Sequence, residues 1–77
     1  MRVGDRVEYI GFTQWRGIKA RILWIYQDDI CIEFDENIYS HDGYNRKLGI
    51  RGKNRHCWIT GEENLILLAR NESEIEE

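Results

Sequence analysis

The sequence contains no proline, only two cysteines and one methionine, and no long apolar run. Each shortage narrows the class of protein. A helix that crosses a bilayer needs about 18 consecutive apolar residues, and no stretch here approaches that. Two cysteines permit one disulfide but no disulfide framework. The opening residues, MRVGDRVEYI, lack the apolar core of a secretory signal. The expectation is a soluble cytoplasmic protein with reduced thiols. Neither a low-complexity tract nor an internal repeat is present, and 77 residues bound the chain to one domain of modest stability.

The body of the chain also lacks an excess of either charge. The formal charge of −3 arises in the last residues, NESEIEE, which hold Glu72, Glu74, Glu76 and Glu77. Setting those four aside leaves ten acids against eleven Lys and Arg, a body near +1. The division expected is one domain over 1–70 and an acidic, disordered tail over 71–77, too polar to pack. Cations are not spread evenly in the body. Arg46, Lys47, Arg51, Lys53 and Arg55 fall within ten positions that contain no acid, a local positive field on a near-neutral domain.

What the chain does have is two-residue alternation. Asp5 to Ile10 alternates and puts Val7 and Tyr9 on one face. Gly17 to Tyr26 reads as a long, bent strand whose even positions Ile18, Ala20, Ile22 and Trp24 share a face, and whose second half is apolar on both sides. Residues 27–29, QDD, are a short polar turn, so a hairpin is expected. In ICIEF, Ile30, Ile32 and Phe34 share one face and Cys31 and Glu33 the other. HCWIT resumes β character, with Cys57 and Ile59 expected inward and His56, Trp58 and Thr60 outward. Thr60 and Glu63 have capping-box spacing, which fits one tight helical turn, and LILLA closes the pattern. Five short strands with one turn before the last predict an all-β, five-stranded barrel. VGDRVEY, GIKARILWI, DICIEFD and EENLIL resemble the strands of SH3-like barrels and cover most of residues 3–68. The competing architecture is an OB-like barrel, which usually takes a longer chain and a full helix.

The chemistry-bearing residues crowd into one long connection, HDGYNRKLGIRGKNRHCW, residues 41–58. Short domains rarely carry such a loop without a role for it. His41, Asp42, His56 and Cys57 bracket it and raise the question of a structural metal. They form two adjacent pairs, however, and neighbours on a strand point to opposite faces, whereas zinc sites usually space their ligands by two to four residues. Cys57 beside His56 fails as a nucleophile pair for the same reason; Cys31 could face His56 from a neighbouring strand, but nothing supplies an oxyanion site. GIRGKNR lacks P-loop spacing. No catalytic residue, metal or cofactor is expected.

Nucleic acid fits the loop better. Binding needs cations to displace counterions and aromatic faces for stacking. Arg46, Lys47, Arg51, Lys53 and Arg55 supply charge. Tyr44, Trp58 and Trp15 supply rings, and His56 and Arg16 flank them. The acidic pair Asp28–Asp29 and the tail oppose a long duplex. Three Trp and four Tyr also suit a protein interface, since Tyr, Trp and Arg are the usual anchors. The expectation is a non-enzymatic module that binds nucleic acid or a nucleoprotein complex, with a protein-directed modulator of a host enzyme as the alternative.

A narrower resemblance concerns the source of the chain. FDENIYSHDG, then Gly and basic residues, then HCWIT and EENL are similar to small uncharacterised proteins of bacteriophages and prophages. Ile59 stands where that group has a second Trp. The resemblance implies a viral or prophage source, action in the host cytoplasm, and no established activity.

Overall fold

Strict alternation becomes strand. Val7 and Tyr9 are buried and Arg6 and Glu8 half-buried in β1 (Arg6–Tyr9). The other strands are β2 (Lys19–Tyr26), β3 (Asp29–Phe34), β4 (Cys57–Thr60) and β5 (Leu65–Ala69). The computed structural model describes residues 1–71, so the acidic stretch 72–77 lies outside the described residues. All pairings are antiparallel in one sheet of order β4-β3-β2-β1-β5. The protein is all-β, and this order is that of the expected SH3-like barrel.

The β2–β3 hairpin closes through Gln27 and Asp28, between the paired residues Tyr26 and Asp29. The single helical turn is a 3-10 turn at Glu62–Asn64, directly before β5. Its N-cap is Gly61, without a side-chain capping bond. The capping box anticipated at Thr60 is replaced by a different contact: the Asn64 side-chain amide donates to Thr60 Oγ1 at 2.9 Å.

The main core gathers Val7, Tyr9, Ala20, Ile22, Ile30, Ile32, Phe34, Ile38 and Leu65. Phe34 receives the Tyr9 ring edge-on at a centroid distance of 5.8 Å. Trp24 does not join this core, contrary to the face read from the even positions. Ile22 pairs with Ile32 but Trp24 pairs with Cys31, so Leu23 is an extra residue on β2. A bulge of this kind shifts the alternation by one and sharpens the bend. Trp24 is thereby turned to the other face of the sheet, where it packs with Cys31 and Cys57 and with Leu23, Tyr26 and Ile50 at the margin. The sheet has two covered faces, which explains the apolar second half of β2.

The chain ends of the domain are tied together through Asp5. Its buried carboxylate accepts the Arg2 backbone N–H at 2.9 Å and the Asn71 backbone N–H at 2.7 Å. Burial raises the carboxyl pKa, but these two bonds, with the nearby positive N-terminus and Arg2, outweigh it and hold Asp5 below the ordinary carboxylate range.

Candidate functional site

The second face is covered by the long loop itself. After β3 the chain returns at His41, which bridges to Cys57. Gly43 lies directly on the two cysteines: a Cβ there would stand 2.6 Å from Cys31 Sγ and 3.0 Å from Cys57 Cβ. The Gly43 carbonyl accepts the Trp24 indole N–H at 2.6 Å. Gly52 is pressed as closely on Cys57 Sγ and Leu23. Its N–H donates to the Asp42 carbonyl at 2.7 Å, and the Lys53 N–H donates to Glu33 Oε2 at 2.6 Å. Between these anchors the tip folds into a small turn, with Asn45 bridging to Ile50 and its side chain accepting the Leu48 N–H at 2.9 Å. At the far end, the Arg55 carbonyl accepts the N–H groups of Ile38 and Ser40. The loop is a lid whose polar backbone is satisfied locally or on the sheet, as a covered loop requires.

The outer side of that lid carries the charge. Arg46, Lys47, Arg51, Lys53 and Arg55 are all exposed. Arg51 Nε pairs with Asp42 Oδ2 at 3.2 Å, and its guanidinium carbon sits 4.5 Å from the Tyr44 ring centroid. Tyr44 is half-exposed, and its backbone N–H is held by Asp42 Oδ1 at 3.0 Å. Arg51, Tyr44 and Asp42 therefore form one preorganised group at the loop surface.

The remaining anticipated contact residues are placed differently. Trp15 and Trp58 meet edge-on, with centroids 4.7 Å apart, and both pack partly buried against the main core. His56 is buried, and its Nδ1–H donates to the Phe34 carbonyl at 3.0 Å. The expected β4 orientation holds for Cys57 alone. Ile59 is exposed, Trp58 packs on the main core and His56 is buried, because the sheet buries residues on both sides and β4 has no single inward face. Arg16 stays exposed, its guanidinium donating to the Ile10 carbonyl and lying 5.6 Å from the Phe12 ring centroid.

The bracketing pairs are likewise separated. His41 Nδ1 accepts the Gly43 N–H at 2.9 Å, Asp42 is engaged with Arg51 and Tyr44, and His56 is committed to Phe34. Among the described residues no three His, Cys, Asp or Glu side chains are grouped to hold a metal ion. Cys31 and Cys57 are free and fully buried. The Cys31 thiol donates toward Cys57, and burial and the Glu33 and Asp42 carboxylates add to that, so its proton is held far above the ordinary thiol range.

A second cationic surface escaped the loop-centred reading. Arg6 and Arg21 are direct cross-strand partners on β1 and β2. Arg6 forks onto Asp35, with Nη1–Oδ1 at 2.8 Å and Nη2–Oδ2 at 2.6 Å. That bond, with some burial opposing it and Arg21 and Lys19 assisting, keeps Asp35 below the ordinary carboxylate range. The alternation that sends Val7 and Ala20 inward also sends Arg6 and Arg21 outward, so the signal was present once β1 and β2 were taken as neighbours.

Compared with known proteins, the chain matches no family model, no curated protein and no solved structure. Among the described residues no helix is long and apolar enough to cross a membrane.

Proposed function

We propose that this domain is a non-enzymatic binding module, of the kind found among small phage proteins, that docks on nucleic acid or a nucleoprotein complex through the outer side of loop 41–58. The observation that carries the reading is the division of labour within the loop. Its inner side is fixed on Trp24, Cys31 and Cys57, while all five cations point to solvent. A loop held this way presents charge without a large ordering cost on binding. Arg51 and Tyr44 supply the paired cation and ring that a base–phosphate unit would meet. Trp15 and Trp58 pack together, partly buried, against the main core and form a separate aromatic surface rather than a support for the loop. Host cytoplasm is the compartment that suits such a protein.

A second reading, a protein-directed modulator, rests on a different surface. Phe12 is 97% exposed, and Ile66, Leu67 and Leu68 lie exposed on the edge strand β5. Apolar side chains on an unpaired strand edge suit a protein better than a polyanion. Retention on single-stranded DNA resin at low salt, with release as salt rises, supports the nucleic-acid reading. A partner from host lysate that stays bound after nuclease treatment, with no retention on DNA resin, supports the protein-directed one.

A further inference from the structure

We infer that the cleft between Arg6, Arg21 and Arg70 is a phosphate-binding site, separate from the loop. The cleft has a volume of about 310 Å³ and is lined by Gly4, Arg6, Arg21, Arg70 and Asn71. Among the described residues no carboxylate lines it. Three arginines therefore line one small concavity on the β1–β2–β5 side of the sheet, where Arg6 also pairs with Ala69, the residue before Arg70. Like charges on adjacent strands repel, and direct cross-strand like pairs are destabilising. Arg6 is offset by Asp35, which takes its fork. Arg21 stands opposite Glu33 on β3 and in the field of Asp35 but forms no ion pair among the described residues, and Arg70 forms none. An anion in the cleft would relieve that repulsion and accept from several planar N–H donors at once, the geometry in which Arg recognises phosphate.

The walls of the cleft are fixed, which a binding site needs. Asp5 holds the Asn71 backbone at 2.7 Å, the Asn71 side-chain amide donates to the Val3 carbonyl at 3.3 Å, and Gly4 packs on the Asn71 side chain. The Gly4 N–H donates to the Ile22 carbonyl at 2.8 Å, locking the same segment onto β2. A second cleft, lined by Arg6, Arg21, Glu33, Phe34, Asp35, Lys53 and His56, shares Arg6 and Arg21 and runs to Lys53 of the loop. The tri-arginine cleft thus adjoins a mixed-charge cleft, with Glu33 and Asp35 among its walls, that reaches Lys53 of the loop. The phosphate group can belong to a nucleic-acid backbone or to a free phosphate or phosphate ester; assigning it to the backbone rests on the proposed function, whereas the site itself does not.

The test is a titration of the full chain with inorganic phosphate, against chloride at matched ionic strength, followed by two-dimensional NMR. Saturable shifts are expected at the Gly4 and Asn71 amides and the Arg6, Arg21 and Arg70 Nε–H groups, and they should vanish in Arg21→Ala/Arg70→Ala, a change of two exposed residues. Shifts that do not saturate, or that survive in the double variant, overturn the site. A single-stranded oligothymidylate supplies the second arm. A loss of about tenfold or more in the double variant near 50 mM salt, with a salt slope flatter by about one unit, assigns the phosphate to a strand. Saturable phosphate binding with unchanged oligonucleotide affinity keeps the site and assigns it to a free phosphate or ester. Saturable phosphate binding with no oligonucleotide binding at all keeps the site and removes the proposed function.

Discussion

Gly43→Ala should be among the most damaging single-atom additions to this protein. Two costs combine there. Gly43 has φ +65, a left-handed conformation that costs a residue with a Cβ roughly 1–2 kcal/mol. The added Cβ would also stand 2.6 Å from Cys31 Sγ and 3.2 Å from Cys57 Sγ, both on fully buried residues. Overpacking a tight core costs about 1–3 kcal/mol. Moving Gly43 outward to relieve that contact would stretch the bond its carbonyl accepts from Trp24. The total is about 2–5 kcal/mol. Gly49→Ala is the matched control: its φ is +68, but nothing lies within 4 Å of its Cβ position, so backbone strain acts alone and the cost is about 1–2 kcal/mol. Urea unfolding followed by tryptophan fluorescence measures both. Equal losses in the two variants would refute the claim that the loop is packed onto a second core.

Other consequences can be checked on the same variants and conditions. Trp58→Ala should cost about 2–4 kcal/mol of stability, because the partly buried ring is packed on Trp15 and the main core; a loss under about 1 kcal/mol would place Trp58 outside the core. Asp5→Asn should cost about 1.5–3 kcal/mol at neutral pH, since two backbone N–H groups lose a charged acceptor. The folded-state pKa of Asp5 lies below the ordinary 3.8, so this contribution is full above that value and fades as pH falls through and below it. Unfolding at pH 7 and near pH 3 should therefore show the gap between wild type and Asp5→Asn narrowing in acid, and a constant gap would contradict the clamp. Cys31 and Cys57 should resist a thiol reagent in the native protein and both react on unfolding; rapid native labelling would mean that the lid opens readily.

Strands were legible because alternation is strict where one face is wet. Val7 and Tyr9, then Ile30, Ile32 and Phe34, occupy the inward positions their spacing required. Alternation failed at Leu23, where one extra residue flips every later side chain, and no residue type there announces a bulge. It failed again at Trp58 and Ile59, because a strand covered on both faces gives no polar side to set the phase. The loop's charge was plain in the sequence. Its anchoring was not, since Gly43 and Gly52 work by lacking a side chain against partners distant in sequence. The pairing of Arg6 with Arg21 needed only neighbouring strands; the arrival of Arg70 beside them needed β5 to lie against β1.

The measurement that tests the central claim most directly is the salt dependence of single-stranded DNA binding by the wild type and by Arg51→Ala/Lys53→Ala. Four phosphate contacts from the loop predict a slope of log affinity against log salt of about −3, at about −0.7 per contact. The double variant should flatten that slope by more than about one unit, with an unchanged unfolding midpoint, because both side chains are exposed. An absence of salt-sensitive binding near 50 mM salt, or an identical slope in the variant, would contradict the assignment of the loop as a nucleic-acid surface.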